Sequence, residues 1–126
     1  MGARGVHVGQ DDLPPSAVRK VAGKGLWIGL STHDLDQLDE AADLGADYAG
    51  FGPVFATPTK GVATGLGPDR LLGALAVARV PLVAIGGIGP ENAWMIPAPA
   101  ALAVSAALCG AEDPAETARR ILHARN

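Results

Sequence analysis

The apolar positions of this chain fall into short runs rather than long amphipathic stretches, and each run stops at glycine, proline or a polar cluster. Residues 4–8 (RGVHV) read as a strand halted by Gly9, with Gln10, Asp11 and Asp12 in the loop behind it. Residues 13–21 read as a short helix, with Asp12 (or Asp11) as its cap and Pro14 and Pro15 accommodated in the first turn. The second strand is predicted over 26–30 (LWIGL), and Ser31, Thr32 and His33 follow it. Asp34 then caps a helix to Leu44 with Leu35, Leu38 and Ala42 at helical spacing, closed by Gly45. Residues 48–51 (YAGF) form a third strand, and after a long loop Pro68 opens a helix carrying Leu71, Leu72, Leu75 and Ala76. Residues 80–85 (VPLVAI) make the fourth strand. The helix expected after it is interrupted, because Pro97 and Pro99 follow Trp94, Met95 and Ile96 too closely. A weak fifth strand over 101–104 ends at Ser105, and Asp113, Pro114 and Glu116 start a last helix to Ala124 with a capping-box spacing.

Five apolar strands alternating with helices predict a parallel α/β sheet, with strands buried on both faces and right-handed crossovers. Polar residues gather behind the strands: Gln10 with Asp12, Ser31 with His33, Thr57 with Lys60, Gly86 with Gly87, and Ser105. That end is where such sheets carry their sites. The stretch over 47–60 (DYAGFGPVFATPTK) is the most distinctive, because an apolar strand there delivers two hydroxyls and an amine on a proline-stiffened loop. Thr57, Thr59 and Lys60 suit an anionic, oxygen-rich ligand; the alternative is an ordinary solvated loop.

Composition narrows the function classes. The chain has 126 residues, the length of one domain, and is 48% hydrophobic. With 10 Lys and Arg, 13 Asp and Glu and a net charge of -3, it lacks the basic patch of a nucleic-acid binder. No apolar run approaches the roughly 18 residues of a membrane span. One cysteine, Cys109, gives no internal disulfide, favours a cytoplasmic location, and reads as a small core residue. The chain begins almost directly in strand-like sequence without an apolar leader.

Taken together, GVHVGQDDLP, IGLSTHD, DYAGFGPVFATPTK, VAIGGIGPENA and AVSAALCGAEDP, in this order and spacing, resemble the thiamine-phosphate synthase family and its TenI-type relatives. The resemblance implies a TIM barrel that joins hydroxymethylpyrimidine pyrophosphate to thiazole phosphate with magnesium, releasing pyrophosphate. It further implies that residues 1–126 form a single domain corresponding to strands four to eight of the family's barrel, without the first three βα units. The segment between Asn92 and Val104 is shorter than the family's and lacks its Gly-Ala-Asp-Gly turn.

Matched residue by residue, the resemblance makes Asp12 the magnesium ligand and gives Gln10 and Ser31 to the substrate side, with Ser31 on the pyrophosphate. It makes Thr57 and Thr59 contacts near the thiazole phosphate and Lys60 the cation that steadies the departing pyrophosphate, so that Ser31 and Lys60 are the catalytic pair. Gly86, Gly87, Val104 and Ser105 are expected to hold the thiazole phosphate. His33 is left out of the catalytic set as a helix-starting, structural histidine. Each residue also has a plainer role: a cap for Asp12 and Ser31, close packing for the glycines. The implied partners are the two phosphorylated small molecules, with neither nucleic acid nor membrane. An incomplete barrel further implies self-association or complementation by an N-terminal piece. Two other functions are open, a TenI-type thiazole tautomerase and a noncatalytic phosphate-binding remnant.

Overall fold

The structure, a computed structural model, describes residues 2–58, 61 and 63–125. Its strands are β1 (Gly5–Val8), β2 (Trp27–Thr32), β3 (Tyr48–Phe51), β4 (Leu82–Ile85) and β5 (Ala101–Ala103). Its helices are α1 (Pro15–Ala22), α2 (Leu35–Asp43), α3 (Pro68–Val77), α4 (Ala106–Cys109) and α5 (Pro114–Arg125). Among the described residues the strands form one sheet in the order β1-β2-β3-β4-β5, every neighbouring pair parallel. This is the expected TIM-barrel-type α/β arrangement, with β1 and β5 at its edges. Between β4 and β5 the chain makes only a 3-10 turn (Ala93–Met95), as the prolines behind Ile96 require.

Alternation along the strands sorts the side chains onto two faces. Ile28, Leu30 and Thr32 of β2, Ala49 and Phe51 of β3, and Leu82 and Ala84 of β4 are buried, and most pack with Leu38, Ala41, Leu71, Ala74 and Ile121 of the helices in one core. Thr32 is polar in that company, and its Oγ1 donates to the Gly50 carbonyl at 2.9 Å. The opposite face carries His7, Gly29, Ser31, Tyr48, Gly50 and Ile85. Ile85 is 43% exposed, so the expectation of strands buried on both faces fails there. Among the described residues the helices pack on the buried face, and the opposite face carries glycines and polar residues beside Val83 and Ile85.

Several local expectations are corrected. Helix α1 starts at Pro15 rather than Leu13, with extended Pro14 at its cap position and no side-chain cap bond. The paired prolines hold the residues before them out of helix, so Asp12 lies too early to cap. Its Oδ2 instead accepts from the Gly9 N–H at 2.7 Å, bracing the loop after β1. Asp34 does cap α2, accepting from the Gln37 N–H at 2.8 Å. Asp113 caps α5 through the Glu116 N–H at 2.9 Å, but the Glu116 carboxylate pairs with Arg119, so only half of the capping box forms. Cys109 is exposed rather than in the core, because the short helix α4 ends there at the sheet's edge.

The end of the sheet away from the candidate site is fastened by a polar joint. Asp47 Oδ2 accepts from Arg19 Nη2 at 2.6 Å and from the Ile28 N–H at 2.7 Å, linking α1, β2 and β3. Burial pushes the Asp47 carboxyl up, but the Arg19 hydrogen bond, the Ile28 N–H and the Arg19 charge outweigh it and hold it below its ordinary value.

Candidate functional site

At the carboxyl ends of β2 to β5 the chain encloses a cleft of about 320 Å³. Its wall includes Ser31 near the end of β2 and His33 behind it, Gly52, Pro53 and Thr57 behind β3, and Gly86, Gly87 and Glu91 behind β4. Ser105, Ala106 and Ala107 behind β5 close it. Of the residues expected to bind substrate, Ser31, Thr57, Gly86, Gly87 and Ser105 therefore converge on one space. Thr57 is buried and Ser105 exposed. Thr59 and Lys60 lie outside the described residues.

Glycine is what allows the loops to close around this space. Gly86 and Gly87 have φ of 99° and 64°, in the left-handed region that a side chain disfavours. A Cβ on Gly87 would lie 2.4 Å from the Ala56 carbonyl oxygen, and one on Gly86 2.5 Å from Pro53 Cβ. The two strand exits are thereby stitched together: Val54 N–H donates to Ile85 O at 2.9 Å, and Phe55 N–H to Gly86 O at 3.1 Å.

Val104 does not line the cleft; it is half-buried and packs against the core. Gln10 and Asp12 also lie outside the lining. Gln10 is nevertheless tied to it, because its Nε2 donates to the Ser31 carbonyl at 2.7 Å. Asp12 is exposed. The described residues contain no group of three or more His, Cys, Asp or Glu placed to hold a metal ion. Asp12 offers one carboxylate, a hard oxygen donor of the kind that magnesium takes beside phosphate and water oxygens.

Two histidines matter more than the sequence suggested. His33 lines the cleft, and its Nδ1 lies 2.7 Å from the Gly52 carbonyl oxygen. A carbonyl only accepts, so Nδ1 carries the proton and, in the neutral ring, Nε2 is a bare acceptor. His7, not singled out from the sequence, stands beside Ser31 with Nε2 to Oγ at 2.8 Å. Finding it requires the strand register, which sets His7 opposite Gly29 and Gly29 opposite Tyr48.

Comparison with known proteins places the chain in a family. The model of the family described as thiamine monophosphate synthase matches residues 1–109. The chain is 46% identical to the thiamine-phosphate synthase of Chlorobium luteolum, over 98% of this chain and 60% of that protein. It is 47% identical to the thiamine-phosphate synthase of Laribacter hongkongensis, over 96% of this chain and 58% of that one. Among solved structures, thiamine phosphate pyrophosphorylase from Pyrococcus furiosus superposes with a TM-score of 0.87 at 33% identity, covering 98% of this chain and 59% of that one. The chain thus spans about 60% of the length of these relatives.

Proposed function

The chain belongs to the thiamine monophosphate synthase family, and we propose that it works in thiamine biosynthesis, as the part of a transferase that joins hydroxymethylpyrimidine pyrophosphate to thiazole phosphate. In that reaction the pyrimidine's carbon–oxygen bond to pyrophosphate breaks as its bond to the thiazole forms. Gly86, Gly87 and Ser105 take the thiazole phosphate, with Thr57 and Thr59 beside it. Ser31 and Lys60 take the pyrophosphate, Ser31 as a hydroxyl donor and Lys60 as a cation that neutralises charge growing on the leaving group. Gln10 steadies the Ser31 backbone on the substrate side. Val104 serves the thiazole side only through its main chain, since its side chain packs into the core. Asp12, together with the substrate phosphates, would hold magnesium, which would supply further charge neutralisation. The observation that carries this reading is the convergence of Ser31, Thr57, Gly86, Gly87 and Ser105 on one cleft.

The reading extends to assembly. The parallel edges β1 and β5 suit pairing with further βα units, so the working form either self-associates or is complemented by an N-terminal piece. A monodisperse monomer that unfolds cooperatively would count against this. A second reading, the thiazole tautomerase, is favoured by one observation, the bare Nε2 of His33 at the cleft, which is able to accept a proton.

The test is calorimetric titration with inorganic pyrophosphate, with and without magnesium. Wild-type chain is expected to bind in a magnesium-dependent way, Asp12→Asn to lose the dependence, and Lys60→Ala to lose binding while still binding thiazole phosphate. Magnesium-independent binding unchanged by both substitutions would remove the assigned roles.

A further inference from the structure

We infer that His7 and Tyr48 form a hydrogen-bond relay that fixes the direction of the Ser31 hydroxyl, making them positioning residues for the anion that Ser31 binds. The inference rests on the reading of Ser31 as a phosphate-oxygen donor. Ser31 lines the cleft and neither His7 nor Tyr48 does, so they act through it.

The geometry is built by register. His7, Gly29 and Tyr48 lie side by side across β1, β2 and β3, and Ser31 is two residues along β2 from Gly29, on the same face. Gly29 leaves the middle position empty, and the two flanking rings meet over it, their centroids 5.5 Å apart. A Cβ on Gly29 would lie 2.2 Å from Tyr48 Cζ and 2.4 Å from His7 Nδ1. One on Gly50, opposite Ser31, would lie 3.3 Å from His7 Cε1. The imidazole is therefore seated on two glycines, with Nδ1 3.1 Å from the Tyr48 hydroxyl and Nε2 2.8 Å from Ser31 Oγ.

Two proton arrangements satisfy these contacts in the neutral ring. If Nδ1 carries the proton, Ser31 must donate to Nε2, and its only proton is spent within the protein. If Nε2 carries it, Tyr48 donates to Nδ1, Nε2–H donates to Ser31 Oγ, and the Ser31 proton points away from His7. An unprotonated phosphate oxygen can only accept, so only the second arrangement gives it a hydrogen bond from Ser31. Tyr48 favours that arrangement, because a phenolic hydroxyl is more acidic than an aliphatic one and so is the better donor and the poorer acceptor.

Long-range proton–nitrogen spectra of the ligand-free chain, under alkaline conditions where a neutral imidazole is favoured, read the tautomer directly. Wild type is expected to show protonated Nε2 and unprotonated Nδ1 at His7, and Tyr48→Phe to move the proton toward Nδ1. In parallel, binding of inorganic pyrophosphate with magnesium is expected to weaken about tenfold in Tyr48→Phe and in His7→Asn, the loss of about one hydrogen bond to a charged ligand. His7→Gln, whose amide N–H can replace Nε2–H, is expected to stay within about threefold of wild type. Protonated Nδ1 in the wild type, or a Tyr48→Phe chain unchanged in both tautomer and affinity, would overturn the relay. The expected tautomers in a chain that never binds pyrophosphate would support the relay and overturn the functional reading it serves.

Discussion

Substituting Gly87 by alanine tests whether the loops behind β3 and β4 are held as closely as the structure has them. At φ of 64° an alanine costs about 1 kcal/mol before any contact is counted. Its Cβ would then lie 2.4 Å from the Ala56 carbonyl oxygen, 2.8 Å from Phe55 Cβ and 3.0 Å from Phe55 C. Two of these three atoms are backbone, so relief comes only by separating the loops. Separation breaks the Phe55 N–H to Gly86 O bond and strains the Val54 N–H to Ile85 O bond beside it. At about 1 kcal/mol for each hydrogen bond, the total loss comes to about 3 kcal/mol. Urea unfolding followed by fluorescence measures this, and Gly73→Ala in α3 is the matched control. A Cβ on Gly73 meets nothing within 4 Å, so that helix-interior change is expected to stabilise by about 0.5–1 kcal/mol. A loss below about 0.5 kcal/mol for Gly87→Ala, with ligand binding intact, would refute the close packing of the two loops.

Other substitutions separate scaffold from site. Phe51 is fully buried at the centre of the core, and Phe51→Ala is expected to destabilise by about 3–5 kcal/mol in the same urea experiment. Ser105 is exposed at the cleft, so Ser105→Ala is expected to leave the urea midpoint unchanged and weaken thiazole phosphate binding about tenfold in calorimetry. Asp47→Asn is expected to cost about 1 kcal/mol at neutral pH, the value of a charge-assisted joint discounted for its partial exposure. Because folding lowers the Asp47 pKa from 3.8, its contribution is full above that value and is lost as pH falls through the lower folded one. The stability gap between wild type and Asp47→Asn should therefore close in acid titrations below about pH 4.

Much of the fold was legible because each strand is a short apolar run with an unmistakable stop, as in YAGF before Gly52 and Pro53. Asp34 and Asp113 cap their helices as their positions suggested. Helix α1 was misjudged at its start because Pro14 and Pro15 decide the boundary more strongly than a nearby carboxylate does. Cys109 looked like a core residue because its neighbours are apolar, but apolar composition does not say whether another layer lies above. The face of the sheet without helices was concealed for the same reason: Ile85 reads as core in VPLVAI and lies on the uncovered side. The relay at Ser31 was invisible because it joins residues 24 and 41 positions apart, and only the register His7, Gly29, Tyr48 brings them together. The cleft-facing glycines and hydroxyls were legible as motifs, whereas the separation of Val104 from the cleft depended on which way a weak edge strand turned.

The central claim is that this chain carries the thiazole phosphate half of a synthase site. The most direct measurement is calorimetric titration of the 126-residue chain with thiazole phosphate, with its mass in solution determined on the same sample. The account expects saturable binding with one site per chain, weakened by Ser105→Ala. Absence of binding by a sample that is folded and unfolds cooperatively would contradict it.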